Sequence, residues 1–167
     1  MPDARPGGRR EGALPEPAGF ELPLLLFAGF RGIIDQLHAR LALEGHPDVR
    51  PAYGFAMQAI GLDGATATEI GRRLGISKQA AGKTVDRLAE LGYAERLDDP
   101  ADGRRKVVRL TARGLDSLAR AAAIFDELRA DWARELGPRR VSELEADLRA
   151  MVPADGFRLD VAGWFGS

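Results

Sequence analysis

Apolar residues along this chain recur mostly at three- and four-residue steps, the spacing of helices that bury one face. Leu26, Phe30, Ile33, Ile34, Leu37 and Leu41 mark such a stripe on a first long helix from Leu22 to Glu44, with Pro23 acceptable in its first turn and Gly45 ending it. Pro51 to Ile60 predicts a short helix carrying Tyr53, Phe55, Met57 and Ile60, most of them core. Further on, Leu115, Leu118, Ala122, Phe125, Leu128, Trp132 and Leu136 hold the period over about six turns. Thr111 is the expected cap of that helix, and Gly137-Pro138 breaks it. Val141, Leu144, Leu148 and Met151 then predict a last amphipathic helix ending at Val152.

The stretch between these long helices is the most finely punctuated. Thr66-Ala67-Thr68-Glu69 has the capping-box pattern, in which threonine and glutamate satisfy each other's backbone donors. It opens a helix with Ile70 and Leu74 four apart, which stops at Gly75. Ile76-Ser77 lead straight into SKQAAGKTVDRLAELGY, with Ser77 as N-cap and Gly92 as the left-handed stop. On that helix Ala81, Val85 and Leu88 fall within about 60° of one another. Gln79, Lys83, Asp86, Arg87 and Glu90 cluster on the opposite side. Two helices across a short glycine-containing turn are the helix-turn-helix spacing. Strand-like runs at Tyr93 to Arg96 and Lys106 to Leu110 then flank DDPADGRR, where Pro100 and the Asp102-Gly103 pair are turn chemistry. The expectation is a hairpin with a long basic tip, a wing, backed by a small third strand at Gly64 to Thr66. A solvated polar face is the ordinary fate of an amphipathic helix, but the elements on both sides point to a face that meets nucleic acid.

Charge sharpens this picture once the chain is divided. The whole sequence is −1, whereas Thr66 to Arg113 holds eleven Lys and Arg against seven Asp and Glu, 11 − 7 = +4. All three lysines, Lys78, Lys83 and Lys106, lie in that segment.

With TATEIGRRLGIS, DRLAELGYAER, DPADGRR and VRLTARG in this order, the sequence resembles the MarR-type transcriptional regulators, dimeric winged helix-turn-helix proteins, over about Leu22 to Val152. The resemblance implies a mainly α fold with a small β-hairpin wing and long dimerisation helices. It implies a homodimer on double-stranded DNA, in which Ser77, Lys78, Gln79, Lys83 and Arg87 enter or flank the major groove. Arg104, with Arg105 beside it, would reach the minor groove from the wing, and Asp102 would orient Arg104. It also implies repression by promoter occupancy and release by a small aromatic effector near Phe30, Ile34, His38, Tyr53, Met57 and Phe125, although each of these also fits a core role. Gly71 stands where the family more often has alanine, at a helix-propensity cost of about 1 kcal/mol.

The implied organisation is a disordered tail over 1–19, a first dimerisation helix over 20–48, the winged helix-turn-helix over 49–113, C-terminal dimerisation helices over 114–152 and an apolar tail over 153–167. The chain has 167 residues with 45% hydrophobic content, enough for one ordinary core. It has no cysteine, which excludes disulfides, thiolate metal sites and thiol-based sensing. The run Leu22 to Gly29 is far short of the ~20 residues that span a bilayer, and no leader pattern opens the chain, so a cytoplasmic protein without membrane contact is expected. His38 reads as structural and His46 as lacking any ligand-spaced partner, so no metal or other cofactor is expected. No nucleophile elbow, Walker loop or paired-histidine motif suggests an enzyme. A winged helix used on an acidic protein and a non-specific architectural DNA binder remain open as alternatives.

Overall fold

The computed structural model describes residues 19–99 and 102–152. In order, the elements are α1 (Glu21–Leu43), α2 (Pro51–Ile60), α3 (Ala67–Leu74), α4 (Lys78–Glu90), β1 (Ala94–Asp99), β2 (Asp102–Leu110), α5 (Ala112–Leu136) and α6 (Pro138–Met151). The two tails expected at 1–19 and 153–167 lie outside the described residues, apart from Gly19. No helix among the described residues is long and apolar enough to cross a membrane.

Two compact units divide the chain, Met1–Gly32 and Ile33–Ser167, so α1 begins in one and ends in the other. In the first unit Phe20, Leu22, Leu24, Leu25, Leu26, Phe27 and Phe30 are all exposed. Leu26 and Phe30 belong to the apolar stripe expected on this helix. The run from Leu22 to Phe30 is apolar around the whole helix, wider than that stripe.

The second unit holds the core. Leu37 and Leu41 of α1, Met57 and Ile60 of α2, Ile70 and Leu74 of α3, Val85 and Leu88 of α4, and Ile124 and Leu128 of α5 pack around Tyr93 and Val108. On α5 the buried positions are Gly114, Ser117, Ile124 and Leu128, while Leu115 and Leu136 are exposed. The expected apolar stripe was rotated from this face because Ser117, a polar residue, sits in the core and carries no hydrophobic signal.

Helix ends are set by local chemistry. Thr66 and Glu69 form the reciprocal capping box, with Thr66 N–H donating to Glu69 Oε2 at 2.8 Å and Glu69 N–H to Thr66 Oγ1 at 3.3 Å. At the end of α3, Gly75 takes φ +67° while Ile76 N–H returns to Gly71 C=O and Gly75 N–H to Arg72 C=O, a Schellman closure. Gly92, at φ +78°, closes α4 the same way, with Tyr93 N–H donating to Leu88 C=O at 2.8 Å.

The wing is an antiparallel pair in which Ala94 opposes Leu110 and Asp98 opposes Lys106, with an irregularity between Asp98 and Asp99. Asp99 pairs with Asp102, so Asp102 and Gly103 belong to β2 rather than to a turn, and residues 100–101, with the turn chemistry expected at Pro100, lie outside the described residues. Ala65 adds a single antiparallel bridge to Val108, the expected third strand reduced to one residue.

Gly71 proves to be a packing requirement rather than a mere propensity cost. A Cβ there would lie 2.8 Å from Ile76 C=O and 3.3 Å from Ser77 C=O, because α3 and the start of α4 cross at backbone distance.

Candidate nucleic-acid interface

Helix α4 separates its two faces sharply. Ala81, Val85 and Leu88 are fully buried, which leaves Ser77, Lys78, Gln79, Lys83 and Arg87 exposed on the outside. Ser77 accepts the Ala80 N–H at 3.1 Å, so its side chain is occupied as the cap and fixes where the helix starts. Among the described residues Lys78 and Lys83 have no ion-pair partner, so their charge is available.

Arg87 is differently placed. Its guanidinium donates to Glu90 Oε2 at 2.8 Å. Its pKa is raised by Glu90 first and by the Tyr53 hydroxyl second, so to reach a base edge it must exchange these partners.

Arg96, which sequence reasoning left unassigned, ties the wing to α4. From β1 its Nε and Nη2 reach Asp86 Oδ1 at 3.1 and 2.7 Å, and Nη2 reaches Gly82 C=O at 3.3 Å. Asp86 is thereby neutralised on the face that would meet phosphate. No sequence motif announces a contact between residues ten apart across a helix end.

Between the start of α3, the first residue of α4 and the wing lies a cleft of ≈ 550 Å³, lined by Thr66, Ala67, Thr68, Glu69, Lys78, Arg96, Arg105 and Lys106. Glu69, the acid of that lining, is held below the usual carboxylate range by the Thr66 backbone N–H, then by the Thr66 hydroxyl, with Arg105 and Arg73 adding to the effect. Its charge is thus committed to the helix cap. On the wing, Lys106 pairs with Asp98, and Arg105 lies 3.9 Å from Asp99. The side chain of Arg104 lies outside the described residues, while Asp102 is exposed at the start of β2.

The residues expected near an effector are only partly brought together. Ile34, His38, Met57 and Phe125 line one cavity between α1, α2 and α5, with Ser117, Leu118 and Phe55 among the other lining residues. Tyr53 faces Arg87, and Phe30 is exposed in the first unit. The cavity measures ≈ 40 Å³. That admits water but is far below the roughly 150 Å³ known to take benzene. Inside it the buried hydroxyl of Ser117 has no partner among the described residues, while His38 Nδ1–H donates to Ile34 C=O at 2.7 Å.

Residues 48–105 match the MarR family model, a span that runs from before α2 into the wing. Among solved structures, Rv1404 from Mycobacterium tuberculosis is 21% identical, with 87% of this chain and 99% of that chain covered at a TM-score of 0.68. A mutant MarR from E. coli complexed with operator DNA is 24% identical, with 80% and 94% covered and a TM-score of 0.62. The S. aureus MepR–DNA complex is 21% identical, with 79% and 96% covered and a TM-score of 0.61. At these identities the likeness shows the shared fold. No curated protein matches the chain.

Proposed function

We propose that this chain, a MarR-family winged-helix protein through its residues 48–105, is a transcriptional regulator that binds a specific duplex DNA sequence as a homodimer and represses by occupying a promoter. The observation that carries this is the outward face of α4, where Lys78, Gln79 and Lys83 stand exposed beside the basic cleft of Arg96, Arg105 and Lys106. Two similar folds, those of MarR and MepR, are known on DNA, which supports the same use here. In this arrangement Gln79 and Lys83 read base edges, with Arg87 joining them once it leaves Glu90. Lys78, Arg105 and Lys106 neutralise phosphate, and Arg104 lies against the minor groove, where it senses width rather than a unique code. Asp102 orients Arg104 within the wing.

Anisotropy on a selected duplex and on single-base variants of it tests this division of labour. Gln79→Ala should relax preference at one position by about 1–3 kcal/mol, whereas Arg105→Ala should weaken all duplexes together and reduce the salt slope by about one unit. Equal loss on every duplex from both substitutions would refute it.

Release by a small aromatic effector forms the regulatory half of the proposal. A ring entering beside Ile34, His38, Met57 and Phe125 must widen a cavity of ≈ 40 Å³, and so must move α1, α2 or α5 apart. Ser117 would supply the one hydroxyl free to meet a polar atom of the ligand.

A further inference from the structure

His46 follows the end of α1 and was expected only to lack a partner at metal-ligand spacing. It is buried, with both ring nitrogens engaged. Nε2 lies 2.9 Å from Asp116 Oδ2 of α5, and Nδ1 lies 3.3 Å from the Tyr93 hydroxyl. Tyr93 is fully buried, and its hydroxyl also accepts from Arg113 Nη2 at 3.2 Å, with the guanidinium 4.7 Å above the ring. Arg113 reaches Gly45 C=O at 3.3 Å and lies 3.9 Å from Asp48. Arg120 of α5 bridges Asp116 at 2.8 Å and Glu44 at 3.1 Å. The charged and titratable groups around the imidazole are therefore Asp116, Arg113 and Arg120 from α5, Glu44 and Asp48 from its own side, and Tyr93 from the α4–β1 turn.

Proton positions follow from the network. Asp116 is kept ionised, by Arg120 first and His46 second, and so accepts only. Nε2 must then carry the hydrogen, which makes neutral Nδ1 the acceptor for the Tyr93 hydroxyl. Arg113 fills an oxygen lone pair of the same hydroxyl. With a neutral imidazole every member has a partner. With an imidazolium, Nδ1 also becomes a donor, and the Tyr93 hydrogen loses the acceptor that His46 gave it.

Tyr93 is placed to report this loss to the DNA-binding face. Its N–H closes α4 on Leu88 C=O at 2.8 Å, and its C=O accepts from Thr111 N–H at 3.1 Å at the start of α5. We propose that His46 and Tyr93 form a proton-sensitive junction between the ends of α1 and α5 and the end of the recognition helix, tight when His46 is neutral and loosened when it is protonated. Operator affinity therefore falls when acidification places a proton on His46. This function rests on the DNA-binding role proposed above, whereas the junction itself does not.

Two readouts separate the two claims. Amide hydrogen-exchange protection factors at Leu91 to Tyr93, measured on the free full-length protein from about pH 8 to about pH 5.5, follow the junction without DNA. Anisotropy on a duplex recovered from a random-sequence pool, at constant ionic strength, follows the function. In the unaltered protein, protection should drop and affinity should fall about tenfold on acidification. Both profiles should flatten in Tyr93→Phe, which keeps the ring, and in His46→Asn, which keeps an acceptor but cannot titrate. Protection that does not change with pH, or that falls equally in Tyr93→Phe, overturns the junction. If the protein binds no duplex at any pH, the DNA-binding role fails and the exchange profile alone decides. If protection falls while affinity holds, the regulatory claim is overturned.

Discussion

Replacing Leu25 with Glu is expected to yield a folded monomer that holds its operator about a hundred- to ten-thousand-fold more weakly. Leu25 is 67% exposed in a helix whose neighbours Phe20, Leu22, Leu24 and Phe27 are exposed as well. Contiguous apolar surface of that kind is the signature of a surface that meets another chain. Leu144, Leu148 and Met151 of α6, in the second unit, are exposed too. A two-fold dimer sets two recognition helices about 34 Å apart, so each half-site is held at high effective concentration by the other. A monomer loses that gain entirely, while the core around Tyr93 and Val108 does not contain Leu25. Sedimentation, circular dichroism and anisotropy on one preparation check all three expectations. A Leu25→Glu protein that remains dimeric, or a monomer that binds as tightly as before, would contradict the proposed assembly.

Gly114→Ala should cost about 3 kcal/mol of stability, although alanine gains about 1 kcal/mol in helix propensity. A Cβ at Gly114 would lie 2.2 Å from the Tyr93 carbonyl oxygen and 3.2 Å from its carbon, with Leu110 Cβ at 3.3 Å. The obstacle is mainly backbone and cannot rotate away. It is held there because Thr111 caps α5 while its hydroxyl donates to Gly92 C=O at 2.6 Å and its N–H to Tyr93 C=O at 3.1 Å. The first turn of α5 is thus pinned to the turn that ends α4, and any added atom must drive them apart. Gly82→Ala in the middle of α4 is the control, since nothing lies within 4 Å of its Cβ position, and it should gain up to about 1 kcal/mol. Urea midpoints at unchanged slope measure both. Equal midpoints for Gly114→Ala and the unaltered protein would show that the α4 and α5 ends are not so pinned.

What could be read beforehand was what local chemistry decides. The Thr66–Glu69 box, the Ser77 cap, the glycine closures at Gly75 and Gly92 and the burial of Ala81, Val85 and Leu88 each depend on residues within one or two turns of one another. Contacts between residues distant in the fold left no such trace. Nothing in the spacing ties Arg96 to Asp86, or joins His46 to Tyr93 and Asp116, because those pairs meet only after the helices cross. Asp102-Gly103 has turn composition, yet the pairing of Asp99 with Asp102 puts both residues in β2. Gly71 gave a propensity argument of the wrong kind, since its cost within one helix is smaller than the space it keeps open for the next. The cavity proposed for an effector was the least legible part. Apolar residues that line a cavity and those that fill a core share one composition, and only the geometry separates Ile34, His38, Met57 and Phe125 from Tyr53 and Phe30.

Selection of duplexes from a random-sequence pool by the full-length protein, followed by anisotropy on the enriched sequence and a scrambled control across a salt series, tests the central claim most directly. The account predicts an inverted repeat with half-site centres about one helical turn apart, bound roughly a thousandfold or more tightly than the control. Affinity should fall steeply with salt as the basic cleft and α4 lysines release counterions. Enrichment of no sequence, with equal and weak binding to both duplexes, would contradict it.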